Sequence, residues 1–322
     1  MAVAEQASLH GTAATLLLRP ALWAVLLAAA AALPLLLSPY QVDLATRILI
    51  YAVLAMSIDM LAGFVGRTSL CHGAIFGVGA YVVIYAMSHG GLGPLPAFLL
   101  GTLAATGVAA IFGLLAVRTS GVYFLLLTLA LGMIVWGVCL RWTTVTGGEN
   151  GLRGQEMRPA FIAAREYFYW AILAFAALAA WLMWRFVHSP FGLTLRGIRD
   201  SESRMRALGY DVPLHLFLGF TASGLFAGAA GAAYAFYNEF VSPSSVALTQ
   251  SVSGLLMAIL GGIGTLFGAF IGSAVVILLE NTVSLYTERW QTVLGLAFIL
   301  TMLLAPEGIL GALRRRAARR RG

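Results

Sequence analysis

The chain has 322 residues, of which 60% are hydrophobic and 10% charged, and its mean hydropathy is +0.90. These values exclude a soluble globular domain, in which apolar residues make up about half the composition. The net charge of +7 rests on twenty arginines and no lysine. This chain therefore holds no GxxxxGK[ST] phosphate loop and no Schiff-base lysine, and any nucleotide energy it uses is released on another subunit.

A helix needs about 20 predominantly apolar residues to cross the hydrocarbon core. In chain order, apolar runs centre on residues 21–37, 44–64, 69–87, 95–117, 122–140, 166–187, 214–237, 250–263, 266–285 and 292–304. The reading is an all-α, polytopic membrane protein with about ten transmembrane helices. The eighth run is short and ends in glycine, which leaves nine as the alternative count. The first run has Arg19 before it and small residues after it, as a signal peptide does, but a multispanning protein needs no cleaved signal. Residues 1–20 then form an N-terminal segment, 21–311 the transmembrane domain with a long loop at 188–213, and 312–322 a basic tail.

Arginine-rich short loops stay on the cytoplasmic side. Ten spans with a cytoplasmic N-terminus put fourteen arginines inside, at 19, 67, 118, 185, 196, 199, 204, 206 and six in the tail. Six fall outside, at 47, 141, 153, 158, 165 and 289. An even span count places the central arginine cluster and the tail on one side, with both termini cytoplasmic.

Few ionisable groups lie within the runs. Asp59, in AVLAMSIDMLAGF, is the clearest. A carboxylate at bilayer depth costs roughly 2.5–3.5 kcal/mol, so it faces a water path or a hydrogen-bonding helix partner. Ser69 and His72 stand three residues apart on one helical face and share the candidate pathway with Asp59. A lone histidine is more often a packing or capping group than a ligand, and no metal site is expected. Glu280, near an outer helix end, can snorkel to the interface. Cys71 and Cys139 read as small packing residues without metal spacing. Gly224 and Gly228 form GxxxG, and Gly261, Gly264 and Gly268 follow further on. Small residues at such spacing let helix backbones approach closely.

The densest charge lies in the middle, where six of the eleven residues from Arg196 to Arg206 are charged. Leu195, Ile198, Met205 and Leu208 fall on one stripe of an amphipathic helix. Glu202 shares that stripe, with Arg199 and Arg206 placed to pair with it. Gly209 supplies the C-terminal cap and Pro213 prevents continuation. A second register breaks the segment at Asp200 or Ser201, which would cap a shorter helix. Two roles stand open on composition, a helix lying on the lipid surface and a docking element for a cytoplasmic partner.

The segment SPFGLTLRGIRDSESRMRALGYDV closely resembles the cytoplasmic loop of permease subunits of branched-chain amino acid ABC importers. Ser189, Pro190, Gly192, Leu195, Ile198, Arg199, Asp200, Glu202, Ala207, Leu208 and Gly209 match the family pattern, with Leu193 and Arg204–Met205 as departures. GFVGRTSLCHGAIFGVGAY, TGGENGL and APEGILG carry the same resemblance, in order, over residues 44–311. Cys71 stands where glycine is usual, and Ala305 where arginine is.

The resemblance implies a type II-like ABC importer permease in the bacterial cytoplasmic membrane, not itself an enzyme. It implies that Ile198, Arg199, Asp200, Glu202, Met205, Arg206 and Gly209 couple to the ATPase. The implied partners are a second permease, two ATP-binding subunits that hold ATP-Mg, and an external substrate-binding protein. No nucleic acid and no cofactor bound by this chain are expected. The family's usual asparagine in place of Asp59 implies a neutral, hydrogen-bonding role there. A urea or short-chain amide permease shares these motifs, and a stand-alone secondary transporter or channel is the rival from another class.

Overall fold

The computed structural model describes residues 27–154, 157–159 and 163–286, with 292–293, 295–296, 298–299 and 308–311. The N-terminal segment, most of the tenth expected span and the arginine tail lie outside the described residues. Among the described residues, five helices are long and apolar enough to cross a membrane. They are α2 (Pro39–Asp59, continued by a π-helical turn Met60–Val65), α4 (Pro94–Ala116), α5 (Gly121–Arg141), α7 (Arg165–Val187) and α10 (Val212–Asn238). Shorter apolar helices are α1 (Leu27–Leu36), α3 (His72–Ser88), α11 (Leu248–Gly261) and α12 (Gly268–Val283). A one-turn α6 (Thr143–Thr146) precedes α7, and α8 (Pro190–Asp200) and α9 (Glu202–Ala207) lie between α7 and α10. The chain is thus a helical membrane protein.

Local chemistry sets the helix starts. Proline occupies the first turn of α2, α4, α8 and α10, where its missing N–H costs no intrahelical bond. Pro34 has the opposite effect within α1. It cannot donate to the carbonyl of Ala30, and the Tyr169 hydroxyl of α7 donates there instead at 2.8 Å. Trp170 Nε1 donates to the neighbouring Ala31 carbonyl at 3.0 Å, which ties α1 to α7.

The α2 span is 83% buried and that of α10 67%, against 28% for α4 and for α5, so the first two form the axis of the bundle. The perimeter helices turn Leu100, Leu103, Ile111, Leu114, Leu126 and Ile134 outward. Close approach to α10 depends on missing side chains. A Cβ at Gly224 or Gly228 would strike Ala109 or Ala105 of α4, and one at Gly231 would strike the Phe76 backbone of α3. Gly261 and Gly268 face each other's backbones across α11 and α12, whereas Gly264, at φ 79°, forms the turn between them.

The helix ends define two faces. One carries the turn after α2, the α4–α5 connection, the α8–α9 segment and the α11–α12 turn, and is rich in arginine. A side chain at Gly308 would run into Gly262, so residues 308–311 also lie at this basic end. At the opposite end, Leu152–Arg153 (β1) pairs antiparallel with Phe240–Val241 (β2), Leu152 opposite Val241.

Candidate functional site

The α8–α9 segment closes the basic end. Ser189 caps α8 by accepting a hydrogen bond from the Gly192 N–H at 3.2 Å. Ser201 leaves helical geometry at φ −165° and caps α9, accepting from the Arg204 N–H at 3.3 Å. Such side-chain bonds to local backbone compete with helix continuation. Gly209, at φ 87°, ends α9 in the left-handed region, and the N–H groups of Gly209 and Tyr210 donate to the carbonyls of Arg206 and Met205 at 3.0 and 3.1 Å. Asp211 caps α10 by accepting from the Leu214 N–H at 3.1 Å, so Pro213 begins the next helix as well as ending the segment.

Of the two expected registers the structure takes the second, with Ser201 capping a shorter helix. The single stripe is corrected, because the bend at Ser201 divides it between two helices. Leu195 and Ile198 are 1% exposed and pack inside the chain, Leu195 over Gly219. Met205 is half-buried over Gly197, whereas Leu208 is 67% exposed. The free edge consists of Arg199, Asp200, Ser203, Arg204, Arg206, Ala207 and Leu208.

The expected Arg199–Glu202 pairing is also replaced. Glu202 bonds Arg67, whose guanidinium also donates to the Thr119 carbonyl and lies 5.5 Å over the Phe124 ring. Arg206 approaches the other Glu202 oxygen at 3.6 Å. Arg199 reaches Asp200 at 3.4 Å and donates to the Gly63 carbonyl in the π-helical turn. A π-helical turn breaks the regular backbone ladder, and such turns are frequent at functional sites. Here the accepting carbonyl lies four residues from Asp59.

Asp59 is 1% exposed and meets a backbone loop. Its Oδ1 accepts from the Gly264 N–H at 2.6 Å and its Oδ2 from the Leu266 N–H at 2.8 Å. Leu266 has φ 58°, costly for a branched side chain, and the two bonds hold that turn,. A Cβ at Gly63 would meet both the Asp59 carboxylate and Gly264. The contacts therefore run without interruption from α9 and α8 through the π-helical turn to the α11–α12 turn.

Ser69 lies in the bend before α3, not on its face, because the helix begins at His72. His72 is fully buried, with Nδ1 3.1 Å from Ser69 Oγ and Nε2 2.6 Å from Ser223 Oγ. The Ser223 hydroxyl donates its one proton to the Ser57 carbonyl at 2.7 Å. Nε2 must then carry the ring proton, and Nδ1 accepts from Ser69. The result is a satisfied neutral chain joining α2, α3 and α10. Among the described residues, no group of His, Cys, Asp and Glu could hold a metal ion.

Near the opposite end, Arg47 Nη2 donates to Glu280 at 2.9 and 3.1 Å. Its guanidinium lies 5.5 Å over the Tyr51 ring, and Gln250 Nε2 donates to the Tyr51 hydroxyl at 2.8 Å. Tyr234 stands edge-on to Tyr51 at 6.0 Å. Arg165 bonds Asp43 at 3.0 Å in the same region.

Residues 40–305 match the family described as branched-chain amino acid transport system / permease component. The chain belongs to that permease family. The permease is 27% identical over 312 residues to the high-affinity branched-chain amino acid transport system permease protein LivM of Salmonella typhimurium, covering 88% of this chain and 73% of the relative. It is 28% identical to LivM of Escherichia coli K12 over the same shares. LivH of Salmonella typhimurium is 26% identical, covering 81% of the permease and 91% of the relative. No solved structure matches the chain.

Sequence reasoning did not single out Arg67, Ser57, Ser223 or the Arg47–Glu280 pair in the permease. Arg67 and Arg47 entered only as topological charges. The available signal was that each is an arginine beside or within an apolar run, which requires a partner.

Proposed function

We propose that this permease is a transmembrane subunit of an ATP-driven importer for branched-chain or related amino acids. Its basic end faces the bacterial cytoplasm, as do both termini, in a ten-span, type II-like arrangement. A second permease completes the pathway, two separate subunits bind and hydrolyse ATP-Mg, and an external binding protein delivers the substrate. The α8–α9 segment is the coupling element. Its free edge, from Arg199 to Leu208, meets the ATPase, while Leu195 and Ile198 anchor it to the bundle.

One observation carries this reading: Arg199 donates to the Gly63 carbonyl, four residues along α2 from the carboxylate that holds the α11–α12 turn. Movement of α8 by a docked ATPase would pull directly on the π-helical turn of the central helix. Family membership and the kinship to LivM and LivH support the substrate class.

The test is reconstitution of the complete transporter in proteoliposomes. Leu208→Asp at the exposed edge should weaken ATPase association while the membrane domain keeps its thermal stability. Glu202→Arg sets like charge against Arg67 and Arg206 and should leave ATP hydrolysis but lower uptake several-fold. Normal assembly and uptake in both variants would leave the segment as an orientation-setting loop. Gradient-driven flux by the purified chain alone would favour a secondary transporter. Uptake of urea or short amides in preference to amino acids would move the substrate class.

A further inference from the structure

Helix α7 turns one apolar stripe outward, with Tyr167, Leu178, Trp181 and Trp184 exposed along it. Tyr167 and Trp184 stand about 26 Å apart along the axis at 1.5 Å per residue, close to the thickness of a hydrocarbon core. Aromatic rings at both ends of such a stripe mark the two interfaces of a lipid-facing helix. Trp181, Trp184, Arg185 and His188 follow at helical spacing and are all exposed, so the stripe ends at the basic face in Arg185 and His188,. His188 is held against the stripe. Its Nδ1 donates to the Trp184 carbonyl at 2.8 Å, and the two rings lie 4.9 Å apart.

A second guanidinium reaches the same corner from α8. Arg196 Nη2 donates to the Val187 carbonyl at 3.2 Å, at the C-terminus of α7, and its guanidinium lies 4.8 Å over the Phe64 ring of the π-helical turn. Around it, Arg67 and Arg206 share Glu202, and Arg199 takes Asp200. Among the described residues, neither Arg185 nor Arg196 has a carboxylate at ion-pair distance, and Arg196 Nε is buried without an acceptor. Two guanidinium groups without counter-charge, beside an aromatic belt where hydrocarbon gives way to water, are complementary to a phosphodiester. We infer that Arg185 and Arg196 hold the phosphate of an anionic phospholipid at the α7–α8 corner, with Trp181 and Trp184 against its glycerol and upper acyl chains. A zwitterionic headgroup fits less well, because its own ammonium already offsets the phosphate. The bound lipid fastens the start of α8 to the membrane and leaves the α9 edge free. A lipid contact and a protein contact thus fall at different ends of one segment, and Arg196 carries the first to the π-helical turn. The inference rests on the coupling role proposed above and adds a lipid site to it.

The experiment places the purified transporter complex in bilayers of phosphatidylcholine, alone or mixed with phosphatidylglycerol. Both headgroups carry a phosphate, but only the second is net anionic. Phosphatidylglycerol should raise the melting temperature and increase ATP-driven uptake several-fold. Arg185→Gln/Arg196→Gln should lose both gains. Arg118→Gln removes an exposed arginine of the α4–α5 connection at the same end and should keep them. A wild type indifferent to the headgroup, or an equal loss in Arg118→Gln, would reduce the corner to general surface charge. Equal protection of the detergent-solubilised complex by inorganic phosphate or glycerophosphoglycerol would overturn the lipid assignment in favour of a free anion.

Arg196 also bonds the end of α7, so the double variant can fail to assemble. Arg185→Gln, at an exposed position, then carries the test. It should weaken the binding of fluorescent phosphatidylglycerol to the complex about fivefold, the share of one interfacial arginine, and unchanged binding would overturn the site. Melting and lipid binding are read without transport. A complex that binds phosphatidylglycerol through Arg185 but imports no amino acid would therefore support the lipid site and defeat the importer reading, which separates the two failures.

Discussion

At the scale of single residues, Asp59, His72 and Ser223 spend their buried polar atoms on backbone and on other side chains. Asp59 accepts two backbone N–H bonds from the α11–α12 turn. Asparagine offers one acceptor oxygen there and turns its amide hydrogens toward the other donor. Asp59→Asn should therefore fold and transport but unfold earlier, by about 1–3 kcal/mol for one unsatisfied buried N–H. Asp59→Leu forfeits both bonds and should lose assembly or uptake. Thermal melts in detergent paired with uptake measure both, and an unaltered Asp59→Leu would show the turn to be held by other contacts. His72→Phe has similar volume but drops the bonds to Ser69 and Ser223. It should cost about 1–3 kcal/mol by the same reasoning, read as a lowered melting temperature with the complex still assembled.

At the scale of elements, helices meet where side chains are missing. Gly231 lies on the Phe76 backbone, so Gly231→Ala must part α10 from α3. Overpacking of this kind costs about 1–3 kcal/mol. A Cβ at Gly107 in α4 or Gly137 in α5 would meet nothing within 4 Å. Alanine there should be neutral or stabilising by up to about 1 kcal/mol, since glycine is the poorer helix former. Melting the three variants side by side checks the contrast, and equal effects would remove the claim that contact, not propensity, sets these costs. The short α9 illustrates the same logic at a helix end, where Ser201, Gly209 and Asp211 punctuate the chain so that Glu202 meets Arg67 instead of Arg199.

At the scale of the molecule, the α8–α9 segment and residues 308–311 lie at one end of the bundle. The arginine asymmetry predicts that this end is cytoplasmic. Reporter fusions after Gly209 and after Gly311 should both report inside. Opposite sides would break the even span count. The same end carries the contacts from Glu202 to Arg67 and from Arg199 to the π-helical turn, whereas the Arg47–Glu280 pair lies toward the other end. The proposed coupling element and the Arg47–Glu280 ion pair are therefore joined through α2 and its π-helical continuation, which contribute Arg47, Asp59 and Gly63 on one continuous element.

Hydropathy and punctuation made the membrane class, the apolar helices, the basic end and the caps at Ser201 and Gly209 legible from the amino acids alone. Each of these depends on the preference of local chain for lipid, water or a turn, and so on neighbours in sequence. Which partner each polar group takes was decided only by tertiary structure. Asp59 finds Gly264 across 205 positions, Glu202 finds Arg67 across 135, and Arg47 finds Glu280 across 233. Helical periodicity offered Glu202 two arginines within a turn and gave no hint of a third far upstream. The inward face of Leu195 and Ile198 was likewise hidden, because an amphipathic stripe records that a surface is covered but not by what. The cost of a buried, unpaired charge is a property of the assembled interior, and packing alone determines which distant groups meet it.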